Sequence, residues 1–126
     1  MPKRLKLPET LRARVELEAA ALVEALHKKY IKKPPKNREF NYLVEIHSKW
    51  HAGCFYLCSK YACPSPRAIS PYFETCFARL MYVSVLGREG RLELSYKRYT
   101  GEWIRVFSGS ATACMREILN NELFTP

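Results

Sequence analysis

From position 40 to position 107 the chain reads mostly at a period of two residues, and that pattern restricts it to strands. Phe40, Tyr42, Val44, Ile46, Ser48 and Trp50 alternate with Asn41, Leu43, Glu45, His47 and Lys49. Successive side chains of a strand point to opposite faces, so the run describes a strand with one apolar face. Ala52-Gly53 then offers a two-residue turn. A hairpin closed there sets Trp50 opposite Phe55 and Ser48 opposite Leu57 on one side, with Lys49 opposite Tyr56 and His47 opposite Cys58 on the other.

Pro64, Pro66 and Pro71 make residues 62–71 an irregular connection. Beyond it a long strand begins at Phe73, with Thr75, Phe77, Arg79, Met81, Val83 and Val85 sharing its core face. A four-residue loop at 87–90 sets Val85 opposite Leu92 and Val83 opposite Leu94. The next turn, Tyr99-Thr100-Gly101, needs a left-handed Gly101 and puts Ile104 and Val106 on the face of Tyr96 and Leu94. Helices flank this sheet. Leu11, Val15, Ala19, Leu22, Leu26 and Tyr30 recur at helical spacing after Pro8-Glu9-Thr10, and Ser110 caps a shorter stripe of Ala111, Met115, Ile118 and Leu119.

The expected fold class is α+β: an antiparallel meander of about five strands packed on an N-terminal helix and a short C-terminal helix. Residues 1–7 form a basic arm and residues 8–126 a single domain. Within it the helix covers 8–31, a basic Pro-containing linker 32–39, the strands 40–107 and the second helix 110–121. At 126 residues, close to half apolar, the chain has enough material for one core.

Arg79-Leu80-Met81-Tyr82, the run Leu94-Ser95-Tyr96-Lys97-Arg98-Tyr99-Thr100-Gly101-Glu102-Trp103, and a terminal helix leading into Leu123-Phe124-Thr125-Pro126 resemble a family of short bacterial proteins of unknown function. That resemblance covers about residues 40–126. It implies a helix, antiparallel strands, a Gly-x-Trp hairpin and a short C-terminal helix, and it implies no activity or site residue.

Charge narrows the function classes. The chain carries a formal net charge of +9, and residues 1–38 hold eleven Lys/Arg against four Glu. Inside that segment the helix is balanced, so the excess sits on its flanks. Lys3, Arg4, Lys6, Lys32, Lys33, Lys36 and Arg38 are candidate contacts to a polyanion, joined by Lys97 and Arg105 on the sheet. Tyr56, Tyr82, Tyr99 and Trp103 form an expected aromatic sheet face on which bases can stack between cations. Nucleic acid or another polyanion is the first expected partner. A homodimer or partner protein covering the same face is the competing expectation, because Tyr, Trp and Arg are also interface residues.

Other chemistry is sparse. Aspartate is absent, which removes Asp-based magnesium sites and Ser-His-Asp triads. His47, His51, Cys54, Cys58 and Cys63 are zinc-type ligands, yet His47 and His51 stand roughly 13 Å apart along a strand. A metal site survives if the His47/Cys58 rung with Cys63 and a distant residue contribute, or if the segment is not a hairpin, so zinc binding is a further alternative. The same rung as a Cys-His nucleophile lacks an orienting third residue. The expectation is a non-enzymatic binding domain without cofactor. Arg79 and Arg98 across neighbouring strands need a carboxylate or a bound anion between them: with Glu102 in that role they are a structural ion-pair cluster, and the alternative is a small anion pocket at the sheet edge. Five cysteines without a secretory signal are expected to be reduced, in a cytoplasmic protein. The longest apolar run, at 19–23, is far short of the roughly 20 residues a membrane span needs, so no membrane partner is expected.

Overall fold

The computed structural model describes residues 3–4, 6–32, 40–84 and 91–126, with backbone alone at Lys3, Arg4 and Ser84. The elements run β1 (Lys3–Arg4), α1 (Glu9–Tyr30), β2 (Tyr42–His51), β3 (Cys54–Ala62), β4 (Tyr72–Ser84), β5 (Arg91–Lys97), β6 (Trp103–Gly109), α2 (Ala111–Asn120) and a 3₁₀ turn, Glu122–Phe124. The five long strands form an antiparallel meander in the order β2-β3-β4-β5-β6, and β1 adds to β4 beyond the start of β3. This is the expected α+β architecture.

Both helices cover one face of the sheet. α1 buries Val15, Ala19, Leu22 and Leu26, the centre of its apolar stripe, against Ile46, Phe55 and Leu57. α2 adds Ala111, Cys114, Met115 and Ile118, and Phe124 closes the same core from the 3₁₀ turn. Each fully buried large aliphatic contributes about 1.5–3 kcal/mol. Pro8 stands at the N-cap of α1 with Glu9 in the first turn, and His27, Lys28 and Lys29 occupy the last, an ordering that suits the helix dipole. At the start of α2 the Ser110 side chain accepts a hydrogen bond from Ala113 N at 3.2 Å.

The β2–β3 hairpin has the register read from its turn: Trp50 pairs with Phe55, Ser48 with Leu57, Lys49 with Tyr56 and His47 with Cys58. Ala52 (φ 50°) and Gly53 (φ 80°) are both left-handed, as a two-residue hairpin turn of this hand requires. Gly101 is left-handed as expected, with φ 89°.

Among the described residues, three bulges correct the expected registers. In β2, Leu43 pairs with Tyr61 but Glu45 with Lys60, so Val44 is extra and Leu43, expected on the polar side, packs against the core. Leu57 pairs with Ala78 but Cys58 with Cys76, so Phe77 is an extra residue in β4. The alternation flips there. Ala78, Leu80 and Tyr82 therefore face the helices, while Arg79, Met81 and Val83 face away. In place of the expected Val83/Leu94 rung, Leu80 pairs with Leu94, Tyr82 with Leu92 and Val83 with Arg91. Val106 is likewise extra in β6: Leu94 pairs with Phe107, and Val106 is exposed. Val85 and the expected 87–90 turn lie outside the described residues, as does most of the 32–39 linker.

An edge of the sheet is closed by a side chain. His27 Nε2 lies 3.0 Å from Ile46 O and 3.1 Å from Ile46 N, on the outer edge of β2. One ring nitrogen thus addresses an edge residue that has no described strand on that side.

Candidate functional site

The helix-free face of the sheet is built by the period of its strands. By register it carries Glu45, His47 and Lys49 from β2, Tyr56, Cys58 and Lys60 from β3, and Glu74, Cys76 and Arg79 from β4. Arg91, Glu93, Ser95 and Lys97 come from β5, and Trp103 and Arg105 from β6. No described helix covers this face.

At its centre three side chains stack. Tyr56 meets Trp103 edge-on with ring centroids 5.7 Å apart, and the Arg79 guanidinium lies 5.1 Å from the centre of the Trp103 ring. Arg79 Nε is buried without a hydrogen-bond partner among the described residues. Arg105 donates to Glu93 at 2.8 Å; Glu93 is nearly buried, so Arg105 serves first to neutralise it. Lys97, opposite Trp103, is exposed and makes no ion pair among the described residues.

The remaining expected residues are dispersed. Tyr82 lies on the helix side, packed against the core, because the β4 bulge reversed its face. Tyr99 projects from the β5–β6 turn, 95% exposed, with Arg98 6.0 Å from its ring. Arg98 pairs with Glu102 at 3.6 Å in that turn. The expected pocket between Arg79 and Arg98 required both on the core side, whereas the bulge places Arg79 on the open face, stacked on Trp103. Lys6 and Lys32 are exposed at the two ends of α1. Lys3 and Arg4 are placed by backbone in β1, and Lys33, Lys36 and Arg38 lie outside the described residues.

A second cluster lies on the same face between β2, β3 and β4. Cys58 and Cys76 form a disulfide between directly paired residues, which corrects the expectation that all thiols are reduced. His47 Nε2 stands 3.3 Å from Glu74 Oε2, and Lys49 forms an ion pair with Glu74 Oε1. The Lys49 hydrogen bond and charge hold the Glu74 carboxyl below its ordinary pKa against partial burial, with His47 adding to the effect. One ligand atom each from His47, Cys58 and Glu74 falls within 4.8 Å of the others. Cys63 is outside this group and sits in the irregular connection, its N–H donating to Pro71 O. Glu74 and Cys76 were missed in the sequence because the proline-rich connection leaves the β3–β4 register open. Their shared face with His47 and Cys58 was the available signal.

Of the other cysteines, Cys54 and Cys114 are buried, and burial pushes the Cys114 thiol up to about 12. Beside the cluster, a cleft of about 600 Å³ includes Tyr61, Cys76, Lys97 and Arg98 in its lining. The Tyr61 hydroxyl donates to Pro126 O at 2.8 Å, and burial raises its pKa.

A family model described as a domain of unknown function, DUF3024, matches residues 7–126. The chain belongs to this family. The DUF3024 span takes in α1 as well as the sheet and α2, so the family extends over the basic linker and not only over the strands. Lys3, Arg4 and Lys6 precede the DUF3024 match. No curated protein and no solved structure matches the chain. No described helix is long and apolar enough to cross a membrane.

Proposed function

We propose that this DUF3024 domain is a non-enzymatic binding module whose open sheet face takes single-stranded nucleic acid. The observation that carries the reading is the Tyr56–Trp103–Arg79 stack on a face free of described helices. Aromatic faces accept bases without regard to sequence, and neighbouring cations neutralise the phosphates that connect them. Lys60, Arg79, Arg91 and Lys97 on this face have no carboxylate partner among the described residues, which supports the same reading. Lys6, Lys32, Lys33, Lys36 and Arg38, on the sequence flanks of α1, add to the net positive charge that attracts a polyanion.

The test is a salt-series titration of the full chain with fluorescent single-stranded and duplex oligonucleotides, followed by light scattering. Tight binding of the single strand at low salt, falling steeply as salt rises, is expected. Lys97→Ala should weaken binding and lower the magnitude of the salt slope by about one, as loss of one phosphate contact does. Replacing Lys32, Lys33 and Lys36 together by Ala should lower retention without unfolding the domain. Salt-insensitive self-association without oligonucleotide binding would replace this reading with a homodimer or partner-protein interface.

A further inference from the structure

We propose that His47, Cys58, Glu74 and Cys76 form a zinc site that the Cys58–Cys76 disulfide closes and its reduction opens. The inference concerns a different part of the open face from the aromatic stack and does not depend on nucleic-acid binding.

Three strands bring these four residues together. His47 and Cys58 are partners across β2–β3, Cys58 and Cys76 are partners across β3–β4, and Glu74 lies two residues before Cys76 on the same face. Ligand atoms of His47, Cys58 and Glu74 already stand within 4.8 Å of one another, and the Cys76 sulfur is bonded to that of Cys58. Two ligands about 2.0–2.1 Å from one Zn²⁺ at the tetrahedral angle are roughly 3.3 Å apart. The His47 Nε2 to Glu74 Oε2 distance is 3.3 Å.

The polar atoms of the cluster are incompletely satisfied. His47 Nδ1 is buried with no hydrogen-bond partner among the described residues, so only one nitrogen of this imidazole has a neighbour. That nitrogen, Nε2 beside Glu74 Oε2, is the one placed to ligate the metal. Lys49 engages Glu74 Oε1 and leaves Oε2 toward His47. Charge also closes: Zn²⁺ with two thiolates and one carboxylate is a single negative charge, which Lys49 neutralises. Two thiolates, an imidazole and a carboxylate form a donor set suited to zinc rather than to magnesium or calcium.

The opening step is thiol–disulfide exchange with a dithiol reductant. Cys58 is wholly buried, whereas Cys76 is half-buried and lines the adjacent cleft, so attack falls on Cys76 Sγ. The S–S bond breaks, Cys58 leaves as thiolate, and the second thiol of the reductant resolves the mixed disulfide. Two electrons pass to the cysteine pair and the reductant departs as its own disulfide. Zn²⁺ then replaces the two thiol protons, which go to solvent.

The experiment reduces the purified full chain anaerobically with a phosphine, removes the phosphine and titrates with Co²⁺ and then Zn²⁺. The expected result is one Co²⁺ per chain with a thiolate-to-cobalt absorption band, displaced by Zn²⁺, and no band in the oxidised chain. Cys63→Ser should keep the band, and Cys58→Ser with Cys76→Ser should abolish it. Glu74→Gln and His47→Gln change partly exposed positions and test the site if the buried cysteine variant does not fold. Each should weaken binding by more than the roughly 10–100-fold that loss of an outer-shell partner costs. A reduced chain that takes up no metal overturns the proposal. So does metal binding that survives both glutamine substitutions unchanged, or that is equal in the oxidised chain.

Discussion

At the scale of single residues, Ala52 and Glu74 depart from what their types ordinarily do. Ala52 holds φ 50° in the β2–β3 turn, where a side-chain Cβ crowds the backbone at a cost of about 1–2 kcal/mol. Asparagine tolerates that conformation, so Ala52→Asn should stabilise the domain by about 1 kcal/mol, measured as a shift in urea midpoint at unchanged slope. Glu74 makes a different contribution. Its folded pKa is depressed, so its stabilisation is complete above the ordinary carboxylate range and is lost as pH falls through the folded value. Stability measured against pH should therefore decline below about pH 4, and Lys49→Met should flatten that decline. An unchanged profile in the variant would show that Lys49 does not set the carboxylate.

At the scale of elements, α1 reaches the outer edge of β2 with an imidazole, in addition to the core packing. His27→Ala removes the ring nitrogen that either donates to Ile46 O or accepts from Ile46 N, according to tautomer, and should lower stability by about 1–2 kcal/mol, with faster amide exchange at Ile46 than elsewhere in β2 if the N–H is the group served. Much of this layer was legible in the sequence. The α1 stripe, the Ala52-Gly53 hairpin and Gly101 were readable because local geometry sets them: a helical period, a two-residue turn, a left-handed glycine. Phe77 and Val106 were not, since a bulge residue has the composition of any strand residue and announces itself only through its partners. That single extra residue in β4 moved Arg79 onto the open face and Tyr82 off it, which is why the expected Arg79/Arg98 pocket dissolved while Trp103 and Tyr56 stayed together. The Cys58–Cys76 pair was hidden for a related reason: residues 63–71 connect two strands without a turn that counts off their register.

At the scale of the whole molecule, one core joins both helices to the sheet, from Val15 and Leu26 through Leu57 and Leu94 to Ile118 and Phe124. Unfolding should accordingly be a single transition. Far-UV circular dichroism, which weights the helices, should coincide with fluorescence of Trp50 beneath α1 and Trp103 on the opposite face. Separate midpoints would divide the helical layer from the sheet. The position of β4 governs how such a molecule comes into being. It is the strand that β1, β3 and β5 all pair with. A chain emerging from the ribosome can close the β2–β3 hairpin early, but a lone hairpin is marginal in water. Until residues 72–84 have been made, α1 has half a sheet to dock on and Lys3–Arg4 has nowhere to pair. The amino-terminal segment must therefore wait, solvated and unpaired, for a strand synthesised long after it, and its cationic sequence is well suited to that interval.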